Sequence, residues 1–421
     1  MPLNLGQGLT LSAVVLCLGV SSCTMKEPIP PIPPIDPTLL PVVSSYSQRL
    51  RTHVEFLASP ELKGRKPGTI GNQRAADYIT QNFILAGLKP LPSLGSFRQS
   101  IGHLLGDNVL GVRFADTEKG RNRFIVVGAH FDHLGEIDGE IYPGADDNAA
   151  AVALLMELAL ATPSLKNYSV MFAAFNAEEP PYLGTSQMGS QYFVSYLPVE
   201  IGKLQNIQAA IIMDLMGGVH WEPLRNIVFT AGAEASQELY QHVKGELEIE
   251  GNGHHLVIKP IGLHLVEEIP VIGRKAFSDY DAFRNASVPI VFLSAGRTPR
   301  YHQPSDQPST LYYERMALTT DWLQALLHRM DEQSKPYQLQ PNRKEFADEV
   351  ASFRPLITQA ANWKTRIPGT SASSIEEFQS DVEWLNRLNP SQAGEEDIKR
   401  LERASIRLQC LLADFPLCGL F

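Results

Sequence analysis

Five side chains able to donate nitrogen or oxygen to a metal lie at the ends of apolar segments in this sequence: His130, Asp146, Glu179, Asp214 and His302. A further carboxylate, Glu178, stands directly beside one of them. Two imidazoles and three carboxylates form a donor set that zinc takes while keeping room for a water. The set is larger than a closed structural site needs, and it suits two zinc ions that share a bridging carboxylate and activate a water for hydrolysis. Each residue alone has a plainer reading, as a turn residue or a helix cap. Asp147, beside Asp146, reads as such a cap because a helical pattern starts immediately after it. The recurrence of five donors at segment ends points instead to one convergent hydrolytic site.

The elements that must carry these donors can be read from hydrophobic pattern. Phe124 to Ala129 is a short, continuous apolar run closed by His130. Ser169 to Asn176 leads into Ala177-Glu178-Glu179, Ala209 to Met213 leads into Asp214, and Val288 to Leu293 leads into the loop with Tyr301-His302. Unbroken apolar runs suit strands buried on both faces of a parallel sheet. Helical patterns at Asn72 to Leu88 and Asn148 to Ala161 separate them. The expected fold class is therefore α/β, a doubly wound, mostly parallel sheet with helices on both faces. Ligands in such sheets bind at the carboxyl ends of the strands, where these donors fall.

The blocks Val127-Gly128-Ala129-His130-Phe131-Asp132-His133-Leu134-Gly135, Pro143 to Ala151, Phe175-Asn176-Ala177-Glu178-Glu179, Met213 to Gly217 and Tyr301 to Asp306 follow one another in this order. With Val54 to Arg65 and Pro67-Gly68-Thr69 upstream, they resemble the di-zinc metallopeptidase family that contains aminopeptidases of the Y and S type. Glutamate carboxypeptidases and glutaminyl cyclases are its more distant relatives. The resemblance covers about residues 46 to 330. It implies that Asp146 bridges both zinc ions across a cis Asp146–Asp147 bond, that His130 and Asp214 complete one ion, and that Glu179 and His302 complete the other. It makes Glu178 the general base and Asp132 the carboxylate that fixes the His130 ring. Tyr301 is either a donor to the developing oxyanion or a buried structural tyrosine. The sequence departs from the family in Asn176, where aspartate is usual, and in Pro180-Pro181, where a single glycine is commoner. The stretch between Leu88 and His130 is too short for the inserted domain of the larger relatives.

Competing chemistries match less well. His130-Phe131-Asp132-His133 partly follows the His-x-His-x-Asp-His signature of metallo-β-lactamase-like hydrolases, but Gly128 stands where its first ligand is required. His133 then reads as a pocket or turn residue. There is no Gly-x-Ser-x-Gly elbow. The expected activity is a zinc-dependent exopeptidase acting on peptides, in the aminopeptidase direction. A carboxypeptidase of the same fold, using Arg297 or Arg300 to hold a carboxylate, and an inactive binding ectodomain remain as alternatives. A net charge of -10 argues against nucleic acid as a partner; the oligomeric state is not legible.

The two ends of the sequence read differently from its centre. Leu9 to Val20 is apolar but too short to span a bilayer as a mature helix, and Val20-Ser21-Ser22-Cys23 resembles a lipoprotein processing box. Residues 1–23 are thus expected to be a lipoprotein-type signal, 24–45 a proline-rich linker, 46–335 the catalytic domain and 336–421 a helical extension. In that extension Ile398, Leu401, Leu408, Leu411 and Leu412 share roughly one face, and Cys410 and Cys418 are candidates for a disulfide in an oxidising compartment. Lipid on Cys23 would anchor the chain at a membrane of a bacterial envelope, on its outer-membrane or periplasmic side; the alternative is an uncleaved or secretory signal, because the first ten residues carry no Lys or Arg. Cys23→Ala should move the protein from the membrane fraction to the soluble one, and mass spectrometry finding an unmodified Cys23 in the mature chain would refute the anchor.

Overall fold

Three short apolar runs of the sequence form strands in which every residue is buried: β3 (Phe124–His130), β4 (Ser169–Phe175) and β5 (Ile207–Met213). They belong to a nine-stranded sheet that also contains β1 (Arg98–Gly102), β2 (Gly106–Arg113), β6 (Ile227–Ala231), β7 (Glu248–Gly251), β8 (His254–Pro260) and β9 (Ile290–Ser294), in the order β1-β2-β4-β3-β5-β9-β6-β8-β7. The structure is a computed structural model and describes residues 46–219, 221–269, 273–361 and 372–412. The centre, β4-β3-β5-β9, is parallel, with Val127 opposite Phe172 on one side and Ile211 on the other. Antiparallel pairs flank it on both sides. Because the central strands run the same way, their carboxyl ends emerge at one edge.

Alternate side chains of β3 enter two cores. Ile125, Val127 and Ala129 join α1 (Tyr46–Leu57), α2 (Ile70–Leu85), α3 (Ala150–Ala161) and α4 (Tyr313–Asp331), whereas Phe124 and Val126 join the opposite core. Thr69 starts α2 by accepting from the Asn72 amide. The helix expected from Asn148 begins at Ala150 because Ala145–Ala149 makes a wider π turn first.

The opposite core is closed by α5 (Phe346–Ala361), α6 (Ala372–Arg387) and α7 (Glu395–Leu412), which bury Phe353, Leu356, Phe378, Leu385, Leu401 and Leu408. The expected helical extension is therefore present and packed on the sheet's second face. Ile398 is half-buried. The side chains of Cys410, Leu411 and Leu412, together with Cys418, Cys23 and the proline-rich segment, lie outside the described residues. Among the described residues no helix is long and apolar enough to cross a membrane.

Polar contacts also tie the extension to the sheet. Ser352 donates to the Pro260 carbonyl and Ser405 to the Leu265 carbonyl, both at 2.7 Å. His264 lies between Glu349 of α5 (3.1 Å) and Glu402 of α7 (2.7 Å). Burial depresses this imidazole, but its bonds to the two carboxylates outweigh that and lift it to about 9. Its folded value lies above the unfolded one, so its contribution is complete below pH ~6.5 and is lost as pH rises through about 9. Nearby Glu234, raised to about 7 by burial, also favours the folded state at low pH, and its contribution is gone by that value. Between pH 7 and 10, amide exchange from α5 and α7, corrected for intrinsic rate, should report a loss of local stability on the order of 2 kcal/mol. The loss should vanish in His264→Gln; equal protection at both pH values would contradict this account.

Candidate active site

His130 closes β3, Glu178 and Glu179 follow β4, Asp214 follows β5, and His302 lies in the loop after β9. Sharp loops turn these side chains inward. Ala177, Leu215 and His302 adopt left-handed backbone at φ 56°, 55° and 55°. Non-glycine residues seldom adopt it, and it gathers at functional sites.

The loops meet at Asp147. Its Oδ1 lies 3.4 Å from His130 Nε2, and its Oδ2 lies 3.2 Å from His302 Nε2 and 3.8 Å from His133 Nδ1. Asp214 Oδ1 is 3.5 Å from His130 Nε2. Glu179 reaches His302 Nε2 at 3.0 Å and His133 Nδ1 at 2.7 Å. Two donor groups therefore share Asp147: His130 and Asp214 on one side, and Glu179 with His302 and His133 on the other.

Asp146, the bridging carboxylate expected from the sequence, belongs to neither group. Its Oδ1 accepts from the Gly217 and Gly218 amides at 2.8 Å each. The Asp146 and Asp147 amides in turn donate to the Asp306 carboxylate. The turn through Ala145–Ala149 directs the two aspartates to different partners, Asp146 to the loop after β5 and Asp147 to the site. The cis bond likewise lies one residue later than expected, at Asp147–Asn148. A Cβ on Gly218 would come within 2.3 Å of Asp146 Oδ2, so this loop admits the carboxylate only beside glycine. Gly144, at φ +58°, makes the corresponding close approach to His133. Asp147 is not a helix cap either, since α3 starts at Ala150 without a side-chain cap bond.

Asp132 also differs from expectation. It stands 3.7 Å from His130 Nδ1, beyond a hydrogen bond, while its two oxygens accept from the Glu178 and Glu179 amides at 3.1 and 3.2 Å. Its main contact is thus with the backbone that aims the glutamate pair. Asn176 forms a reciprocal amide pair with Asn72 (2.9 and 3.0 Å) and donates to the Leu105 carbonyl. An aspartate could not donate in that pair.

Sequence reasoning missed two residues. His133, read as a turn or pocket residue, faces Glu179 and Asp147. Asp279 is fully buried and feels His130, Asp132 and Asp214. It precedes the helix Tyr280–Asn285, so in sequence it has the look of a cap, and only long-range proximity reveals it. Two arginines hold the surrounding loops without entering the site. Arg65 donates to the Leu57, Phe131, Pro143 and Gly144 carbonyls, and Arg315 to those of Met216 and Gly218.

Crowded, desolvated charges pull the titrations apart. Burial raises Glu178, and repulsion from Glu179, Asp214 and Asp279 adds to it beyond the opposing pull of His130, leaving it well above the carboxylate range. Burial also opposes ionisation of Glu179, but His133 and His302 more than compensate and bring it to about 2. Tyr301 is held protonated by burial and the surrounding carboxylates, its ring stacked on His302 with centroids 3.8 Å apart. His130 Nε2, His302 Nε2, Asp147 Oδ2, Glu178 Oε1, Glu179 Oε1 and Asp214 Oδ1 are buried without a hydrogen-bond partner. Buried polar atoms are nearly always bonded. A convergent set of open imidazole and carboxylate donors is the chemistry zinc takes, and these residues fit it.

The sequence model of peptidase family M28 matches residues 108–327. The uncharacterized protein YfbL of Escherichia coli K12 is 24% identical over 303 residues, covering 67% of this chain and 87% of that protein. Among solved structures, an aminopeptidase from Aneurinibacillus sp. strain AM-1 superposes with a TM-score of 0.50 at 14% identity, covering 70% of this chain and 94% of that one. A zinc aminopeptidase from Bacillus subtilis does so with 0.50 at 14%, covering 71% and 98%. At such identities these structures establish a shared fold.

The two aspartates can be separated by substitution. Asp147→Ala should abolish stable metal binding at both donor groups, measured by plasma mass spectrometry after dialysis. Asp146→Ala should keep the metal stoichiometry yet destabilise the protein by about 1–3 kcal/mol, because two buried amides lose their acceptor. The reverse pattern would return the shared position to Asp146.

Proposed function

This chain belongs to peptidase family M28, and on that premise we propose that it is a zinc-dependent aminopeptidase that removes amino-terminal residues from short peptides. The observation that carries this reading is the convergence of two buried donor groups on Asp147, with Glu178 beside them. His130, Asp147 and Asp214 would hold one zinc ion, and Asp147, Glu179 and His302 the other. When bound, such ions lower the pKa of a shared water toward ~7 and polarise the scissile carbonyl.

The chain's own groups supply the rest. Glu179 serves as a ligand, and Glu178, 3.8 Å from His130 Nε2 beside the donor groups, takes in its ionised form the proton of the attacking water and returns it to the leaving amine. Tyr301 keeps its hydroxyl proton and can donate to the developing oxyanion. Asp132 positions Glu178 and Glu179 through their amides.

The aminopeptidase direction is supported by the resemblance of the blocks around His130 and His302 to the aminopeptidase branch of the family. The names of the two structural neighbours point the same way. A carboxypeptidase direction has one observation in its favour, Arg297, whose guanidinium lies 4.2 Å from the Tyr301 ring centroid.

The test offers zinc-loaded enzyme and its Glu178→Gln variant two peptides, one blocked at its amino end and one at its carboxyl end. The wild type should shorten only the peptide with a free amino terminus, and Glu178→Gln should lose about 10²–10⁴ in turnover while retaining its zinc. Cleavage confined to the amino-blocked peptide would replace the direction; near-normal turnover of Glu178→Gln would remove the base.

A further inference from the structure

Glu178 and Glu179 leave β4 through Asn176, a buried residue whose polar atoms are all bonded. Its side-chain oxygen accepts from Asn72 Nδ2 (2.9 Å) and from the Ala177 amide (3.0 Å). Its Nδ2 donates to Asn72 Oδ1 (3.0 Å) and to the Leu105 carbonyl (2.9 Å). The backbone is held as well: the Asn176 amide donates to Asn108 Oδ1 at 3.0 Å, and its carbonyl accepts from the Gly189 amide at 2.8 Å. The chain then turns at once through the left-handed Ala177 to present Glu178. Glu178 Oε1 has no hydrogen-bond partner and Oε2 stands 3.8 Å from His130 Nε2, so the backbone largely decides where this carboxylate sits.

Asn72, on α2, faces two ways. Besides bonding Asn176 it donates to the Arg65 carbonyl at 2.9 Å. The Arg65 guanidinium in turn takes the carbonyls of Phe131, Pro143 and Gly144, in the loops that carry His130 and Asp147. One buried path thus runs from the loop of the two glutamates, through the paired amides, to the loops of the metal donors. Space around it is tight. A Cβ on Gly106 would come within 3.1 Å of Asn176 Nδ2 and 3.2 Å of Asn72 Oδ1, and one on Gly189 within 2.2 Å of Asn108 Oδ1 and 2.3 Å of the Asn176 carbonyl oxygen. Side chains enclosed this closely pass any shift on to the backbone they hold.

We propose that Asn72 and Asn176 are positioning residues of the reaction: their amide pair sets the distance of Glu178 from the metal donors, and it needs a neutral amide at both positions. The proposal rests on the reading of Glu178 as the base. A carboxylate in place of the Asn176 amide would accept but not donate, so Asn72 Oδ1 and the Leu105 carbonyl would face it with no proton between them. Both oxygens would then be left buried against a negative charge, which the loop relieves by moving away. A displacement of about 1 Å in a catalytic group can cost ~10²-fold in rate.

The test uses the zinc-loaded full chain and a peptide with a free amino terminus, with melting temperature and zinc content as controls. Asn176→Asp should lower kcat by about 10²-fold while KM stays within about twofold and zinc is retained. Lower pH should return part of the loss, because the introduced carboxyl, once protonated, donates to Asn72 Oδ1; the ratio of variant to wild-type kcat should rise as pH falls. Asn72→Asp, which alters the partner on α2 and leaves the loop after β4 untouched, should show the same loss confined to kcat, and it carries the test if Asn176→Asp fails to fold. In the Glu178→Gln background neither substitution should lower turnover much further, since the group they misplace is already gone. Losses that add in full to that of Glu178→Gln, or an unchanged kcat in both single variants, would overturn the positioning role and leave the base standing. Near-normal turnover of Glu178→Gln alone would remove the base, and the positioning role with it.

Discussion

Negative charge buried in one small volume is the constraint around which this molecule is organised. Asp132, Asp146, Asp147, Glu178, Glu179, Asp214 and Asp306 are all nearly inaccessible and gather at one edge of the sheet. Unpaired buried charge costs far more than a domain's net stability can absorb, so each carboxylate must have a partner. The structure sorts them by partner. Asp132, Asp146 and Asp306 accept backbone amides and thereby tie loops together. Asp147, Glu178, Glu179 and Asp214 keep oxygens facing imidazoles and one another. The first group builds the site, and the second is what it presents to a metal.

That division explains why the scaffold has the shape it has. Amides can reach the structural carboxylates only if the loops after β3, β4, β5 and β9 lie side by side, which the parallel centre of the sheet enforces. Arg65 and Arg315 complete the frame by donating to carbonyls of the same loops, and attraction to the carboxylates offsets part of the cost of burying two guanidiniums. The left-handed residues at the loop tips show how tightly the chain must turn to bring donors from four strands within reach of one aspartate.

The second face of the sheet serves a different purpose. There α5, α6 and α7 share a core with the strands. The same apolar packing that stabilises the extension leaves a gap between it and the sheet, beside Asp214. The His264 cluster fixes the spacing between the two walls.

Much of this was legible in the sequence, for physical reasons. Short unbroken apolar runs rich in β-branched residues suit strands covered on both faces, so β3, β4, β5 and β9 and their helical partners followed from hydrophobic pattern and length. Residue type at the end of each run marked His130, Glu178, Glu179, Asp214 and His302, because few other side chains donate to a metal. What tertiary structure alone decided was orientation and long-range proximity. Asp146 and Asp147 are chemically identical neighbours, and only the path of the backbone through Ala145–Ala149 settles which of them faces the site. His133 and Asp279 carry no local signal, since a turn histidine and a helix-capping aspartate look the same in sequence until distant elements close over them. The gap beside Asp214 is the extreme case. Its walls come from residues as far apart as Asp214 and Leu408, and a space between elements has no representation in a string of residues.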